Sequence, residues 1–316
     1  MMCYNTDMEI SDAKPVGRFA PTPSGRLHLG NIFAAMLAWL SVRSRGGRCL
    51  LRIEDLDTLR CSADDTAQLL DDLEWFGFTF DGETLHQSER AAVYDACLEK
   101  LRTHAEIYPC YCSRGQLHAA TAPHASDGTP IYDGRCRRLS PDERPDRPAC
   151  LRIAVPDETI RFVDGVQGAY AQDLAAECGD FILRRSDGVY AYQLAVVADD
   201  GYSGVTEVVR GRDLLGSAPR QLYLCRLLGF PPPVYYHVPL LLGENGERLS
   251  KRDGCSNLAW LRAHFSTPEP ILGLLAYHAG LLSRAEPVSL NELIPLFDWE
   301  KVPKNDIPLN DNELLG

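Results

Sequence analysis

Apolar and polar positions along the first third of the chain alternate between two periods, and they predict strands and helices in turn. Arg18-Phe19-Ala20 alternates like a strand entering a sheet, Pro21, Pro23 and Gly25 force a loop, and apolar residues recur at helical spacing from Leu29 towards Arg43. Arg48–Ile53 is a second predicted strand, and Ala63–Gly77 and Ser88–His104 are predicted amphipathic helices. From Tyr108 to about Gly179 the pattern changes to short runs broken by Pro and Gly, with a polar stretch at His118–Gly128. An inserted unit with an irregular loop is expected there. Strand and helix signals resume near Phe181, through Tyr190–Val197, Val205–Val209, a helix at Asp213–Leu228 and a strand at Val234–Val238. Beyond Ser256 the chain is mostly helical, with Asn257–Phe265 and Pro268–Leu282 apolar at helical spacing.

This order predicts an α/β protein with a Rossmann-type nucleotide-binding fold. Its first half is residues 1–107, an insert covers 108–179, the second half is 180–245, and 246–316 hold a basic loop and a helical C-terminal part. In such a sheet a ligand lies at the carboxyl ends of the strands, where the halves meet. The turn before Leu29 stands at a helix N-terminus, whose unpaired N–H groups and positive dipole favour phosphate. His28 can donate to a phosphate oxygen, and Gly30 lets a nucleotide approach the backbone. Arg248-Leu249-Ser250-Lys251-Arg252 places Lys251, one of only five lysines beside 27 arginines, in a second basic turn. This topology lets His28 and Lys251 face one ATP. The chain has no Gly-Lys dipeptide and no Gly-x-Gly-x-x-Gly after its first strand, which excludes a Walker-type loop and disfavours a nicotinamide dehydrogenase.

The 316 residues suffice for two or three units, and 45% hydrophobic with 24% charged content is ordinary for a globular protein. No apolar run approaches the roughly 18 residues that span a bilayer, and the N-terminus lacks a basic region followed by a hydrophobic one. A cytoplasmic monomer without a membrane partner is expected. A net charge of −12 argues against broad nucleic-acid binding but permits a local basic face, with Arg135, Arg137 and Arg138 as candidates. The eleven cysteines are scattered and odd in number, and so are read mostly as reduced thiols; Cys49, Cys97 and Cys225 fall in apolar patterns as small hydrophobes. Cys110 and Cys112 differ. With Cys136 they offer three thiolates, and one further group would close a tetrahedral site. Tyr132 is a candidate for that group, His118 and His124 are rivals, and ordinary thiols are the alternative.

His28-Leu29-Gly30-Asn31 resembles the first signature of the class I aminoacyl-tRNA synthetases, usually His-Ile-Gly-His, with Asn31 in place of the second His. The Lys251 loop resembles the second signature, Lys-x-Ser-Lys, in its glutamyl-tRNA synthetase form. RFAPTPSG, LLRIEDLD at Leu50–Asp57, AYQLAVVADD at Ala191–Asp200, GVTEVVRG at Gly204–Gly211 and ERLSKRDG are similar to that family in order and spacing, over roughly residues 15–260. The resemblance implies that Arg18 and Arg210 hold the side-chain carboxylate of glutamate and Glu54 its ammonium group. Tyr192 would complete the pocket wall, with Ala20 and Ser24 lining the site. It likewise places ATP against His28, Gly30, Asn31 and Lys251, with His28 and Lys251 stabilising charge on the phosphates and Mg²⁺ on the pyrophosphate. A guanidinium fork suits a carboxylate, whereas glutamine's neutral amide would leave one Arg uncompensated. The activity implied is attack of glutamate on the α-phosphorus of ATP.

Cys-x-Cys followed by Tyr-x-x-x-Cys resembles the truncated paralogues of glutamyl-tRNA synthetase, and implies one structural zinc held by Cys110, Cys112, Tyr132 and Cys136. Only 65 residues follow Lys251, fewer than the roughly 100–150 of a typical domain, so no anticodon-binding domain is expected. In those paralogues the acceptor is queuosine in the anticodon loop of tRNA(Asp), and that RNA is the expected partner beside glutamate and ATP. A truncated synthetase charging a tRNA 3′ end, and a catalytically silent RNA-binding paralogue, are the other readings.

Overall fold

The structure, a computed structural model, describes residues 3–4, 13–113, 115, 131–243, 246–247, 258–310 and 313. In chain order the first elements are β1 (Cys3–Tyr4), β2 (Val16–Phe19), α1 (Leu29–Arg43), β3 (Arg48–Ile53), α2 (Ala63–Trp75), β4 (Leu85–His86) and α3 (Ala91–Arg102). Ile32, Phe33, Met36, Leu37 and Leu40 bury α1 on nearly every face, as befits a helix apolar all round. Against it lies a parallel sheet in the order β4-β3-β2.

Further along the chain follow β9 (Phe181–Arg184), α4 (Tyr192–Tyr202), β10 (Glu207–Gly211), α5 (Ala218–Leu228) and β11 (Val234–Val238). β10 and β11 are parallel, with Arg210 opposite His237 in register. Thr206, just before β10, donates its N–H to Val16 O at 2.8 Å and receives the Val16 N–H on its hydroxyl at 2.9 Å. β2 and β10 therefore lie side by side, with one core packing on α1 and a second on α3, α4 and α5. Cys49, Cys97 and Cys225 are buried in these cores.

β5 (Ile107–Cys110) and β6 (Cys150–Ile153) form an antiparallel sheet with β9, in the order β5-β6-β9. β7 (Thr159–Asp164) and β8 (Gly168–Asp173) form a hairpin, with β1 parallel to β7. The turn of this hairpin approaches β11 closely: a Cβ on Gly165 would lie 2.1 Å from the Tyr236 ring.

Three expectations change. The helix predicted over Ser88–His104 begins only at Ala91, after a 3₁₀ turn, because Gln87 and Arg90 turn inward to Asp199 at 2.8 and 2.6 Å. The helix predicted over Asp213–Leu228 divides into a 3₁₀ segment, Arg212–Ser217, and α5, whose first turn holds Pro219 and so needs one N–H fewer. The C-terminal part holds α6 (Leu258–His264) and α7 (Glu269–His278), yet it also returns a strand. β12 (Leu241–Leu242) pairs with β13 (Ile307–Pro308), a pairing too short to leave a period in the sequence. No helix among the described residues is long and apolar enough to cross a membrane.

Candidate active site

At the carboxyl ends of β2, β10 and β11 opens a cleft of about 450 Å³. Its lining brings together Arg18, Ala20, Ser24, His28, Gly30, Asn31, Glu54, Tyr192 and Arg210, nine positions scattered over nearly 200 residues. Lys251 lies outside the described residues, as do the rest of its basic turn, His118 and His124.

The loop after β2 is pinned at both ends. Glu54 donates its N–H to Pro21 O at 2.9 Å, and Arg26 grips Asp72 of α2 through two bonds of 3.1 and 2.8 Å. The loop delivers His28 in extended conformation (φ −119°, ψ 167°) as the N-cap of α1. A Cβ on Gly30 would press to 3.0 Å from the His28 ring, so a side chain there would make the imidazole shift by a few tenths of an ångström. Asn31 lines the cleft, and its Oδ1 accepts the His28 N–H at 3.1 Å.

Two buried arginines face the cleft in different electrostatic settings. Arg18, at the end of β2, directs Nε at both oxygens of Asp200 (3.3 and 3.4 Å) and Nη1 at Val209 O (3.4 Å). Asp200 also pairs with Arg52, which reaches Glu54 at 3.2 Å. Burial opposes ionisation of Asp200, but Arg52 and Arg18 together hold its carboxyl below the usual range. Burial dominates at Glu54 and raises it, against the pull of Arg52 and Arg18.

Arg210 has a different set of partners. Its Nε donates to His237 Nε2 at 2.9 Å, Nη1 to Gln221 Oε1 at 2.8 Å and Tyr192 Oη at 3.4 Å, and Nη2 to Leu214 O at 3.3 Å. Every one of these acceptors is neutral. His237 Nδ1 lies 2.6 Å from Asp164 Oδ2, so the proton sits on Nδ1 and the lone pair faces Arg210. Burial pushes His237 down to about 4, the Arg210 charge adding to it against the Asp164 bond. Sequence reasoning assigned no role to Asp164, Gln221, His237, Arg52 or Asp200. The alternation of Tyr235 and His237 in a strand was a signal that a buried polar residue faces the site.

A second cluster lies on the antiparallel sheet. The Sγ atoms of Cys110, Cys112 and Cys136 lie within 4.8 Å of one another, with Cys112 3.6 Å from Cys136. The Tyr132 oxygen is 3.7 Å from Cys112 Sγ and accepts the Cys136 N–H at 2.9 Å. With metal–sulfur bonds of about 2.3 Å, tetrahedral thiolates stand roughly 3.8 Å apart, so the spacing fits a closed site. A hydrogen bond from Cys150 draws Cys110 down to about 4, while burial raises Cys112 to about 11 and raises Tyr132 as well. Arg135 and Arg137 are exposed but already paired, with Asp133 at 2.9 Å and Glu106 at 2.6 Å.

Residues 15–314 match the family described as tRNA synthetases class I (E and Q), catalytic domain. The glutamyl-Q tRNA(Asp) synthetase of Symbiobacterium thermophilum is 49% identical over 307 residues, covering 92% of this chain and 94% of that one. The chain belongs to the glutamyl-Q tRNA(Asp) synthetase family of class I synthetases. It is accordingly a ligase-type enzyme. Another family member, from Nocardia farcinica, is 44% identical over 315 residues, 98% of this chain and 97% of that one. The family fold is also that of a glutamate tRNA ligase from Elizabethkingia meningosepticum, solved in complex with its amino acid. That structure superposes with a TM-score of 0.81 at 27% identity, over 96% of this chain and 68% of that one.

Proposed function

We propose that this enzyme activates glutamate with ATP and transfers it to queuosine in the anticodon loop of tRNA(Asp). The observation that carries the reading is the single cleft in which Arg18, Arg210, Glu54 and Tyr192 stand beside the His28 end of α1. Glutamate's side-chain carboxylate would lie between the two guanidinium groups, and its ammonium against Glu54. The α-carboxylate then projects towards the N-terminus of α1, where phosphate is favoured. A carboxylate oxygen attacks the α-phosphorus of Mg²⁺-bound ATP, the bond to the pyrophosphate oxygen breaks, and glutamyl-adenylate remains. An acceptor group on the queuosine base next attacks the acyl carbon and AMP departs. Catalysis is positioning and charge stabilisation, with His28 and Lys251 on the phosphates and Gly30 and Asn31 holding the turn. Lys251→Ala should slow ATP–pyrophosphate exchange by roughly two to three orders of magnitude.

The spacing of Cys110, Cys112 and Cys136 with Tyr132 supports a structural zinc in the segment 108–179, read as an inserted unit. The ion would tie the chain at Cys110 and Cys112 to the turn at Tyr132 and Cys136.

The test is incubation of enzyme, ATP and labelled glutamate with tRNA(Asp) prepared with and without queuosine, followed by digestion to nucleosides. Label should appear on queuosine alone. Label on the 3′-terminal adenosine would replace this reading with that of a synthetase charging tRNA ends.

A further inference from the structure

The two arginines of the glutamate pocket are held by opposite means. Arg18 is anchored at Nε by a carboxylate, Asp200, which offsets its charge. Arg210 is anchored at the same atom by an imidazole, and none of its hydrogen-bond partners among the described residues carries a charge. We propose that His237, held by Asp164, is a positioning residue that locks Arg210 through a neutral acceptor and so keeps its positive charge available for the glutamate side chain. This inference rests on Arg210 binding that side chain.

The geometry leaves His237 one productive proton arrangement. Asp164 Oδ1 accepts the backbone N–H groups of Val166 (3.0 Å), Gln167 (2.9 Å) and His237 (3.1 Å), so the carboxylate has fixed orientation and negative character. Its Oδ2 takes the Nδ1 proton of His237. Nε2 is then an obligate acceptor, and among the described residues the donor that it meets is Arg210, its strand partner on β10. With Nε tied down, the guanidinium plane is set, and its Nη atoms reach Tyr192 and Leu214 of the cleft lining as well as Gln221. A carboxylate at position 237 would hold Arg210 equally well. It would also compete with the substrate's carboxylate, and glutamine would lose its disadvantage. The neutral imidazole separates orientation from neutralisation, because Asp164 is one ring further from the guanidinium. The carboxylate comes from the β7–β8 hairpin, which reaches β11 only because Gly165 has no side chain to meet Tyr236. The amino-acid pocket is therefore supported from the segment between the two halves of the nucleotide fold.

Asn and Gln substitutions divide the two ends of the imidazole. His237→Asn keeps a group where Nδ1 meets Asp164 but falls short of Arg210. His237→Gln carries an acceptor to where Nε2 stood. In ATP–pyrophosphate exchange, His237→Asn should raise the KM for glutamate at least tenfold with the KM for ATP unmoved, and should narrow the preference for glutamate over glutamine. His237→Gln should stay within about threefold of the parent enzyme in both. Equal effects of the two variants, or KM values for glutamate and ATP rising together, would overturn the proposal and leave His237 a packing residue. Arg210→Ala is measured alongside. If it leaves the KM for glutamate unchanged, the reading of the pocket fails; if it raises that KM while His237→Asn does not, the positioning role alone fails.

Discussion

His28 and Asn31 are joined by a hydrogen bond of 3.1 Å from the backbone N–H of the first to the side-chain oxygen of the second, across the first turn of α1. Asn31 therefore stabilises the turn on which His28 is presented, in addition to lining the cleft. Asn31→Ala should cost about 1 kcal/mol in chemical denaturation, the usual cost of a lost N-terminal capping contact. It should slow exchange less than His28→Ala does. A larger kinetic effect for Asn31→Ala would give the side chain a direct role on ATP.

Arg18 and Arg210 should respond differently to removal. Arg210→Ala leaves two buried neutral acceptors, His237 Nε2 and Gln221 Oε1, without their donor, so stability should fall by roughly 1 kcal/mol while the KM for glutamate rises about ten- to hundredfold, the worth of a hydrogen bond to a charged group. Arg18→Ala leaves Asp200, buried, with Arg52 as its remaining partner, and should lower both glutamate affinity and stability, the latter by roughly 2 kcal/mol. Thermal melts beside exchange kinetics separate the two outcomes.

Acid should destabilise the fold through His237. Its folded pKa of about 4 lies below the ordinary 6.5, so between those values the unfolded chain binds the extra proton. The stability that His237 contributes is fully present above about pH 6.5 and is lost as the pH falls towards 4, by about 3 kcal/mol in total. The charged groups acting on it are Asp164, Arg210 and, at longer range, Asp213. Denaturation of the parent and of His237→Asn across this window should give a steeper loss for the parent. Parallel curves would place a charged His237 in the fold.

Protein purified without added metal should hold one zinc per chain by elemental analysis. Its removal by a chelator should lower the melting temperature, and Cys136→Ser should abolish both the metal and the effect. Less than a tenth of an equivalent in a folded protein would make Cys110, Cys112 and Cys136 ordinary thiols.

The sequence by itself determined the local elements wherever one period dominated. β3 and β11 occupy Arg48–Ile53 and Val234–Val238, and α1 runs from Leu29 to Arg43, because each carries a clean pattern bounded by Pro or Gly. It also picked out nine positions, from Arg18 to Arg210, that the fold gathers in one cleft, since motif residues at the ends of strands and at the start of α1 come together in this topology. Boundaries failed where side chains left their helix for a distant partner, as Gln87 and Arg90 do for Asp199, and where pairing was too short to leave a pattern, as at Ile307–Pro308. Only the tertiary structure decided how the pocket is charged. Arg210 and His237 are 27 positions apart, and Asp164 is a further 73 from His237, yet register and one close turn stack them into a single line of hydrogen bonds. Sequence spacing carries no trace of that line, because the strands that bring its members together are paired by the fold and not by the chain.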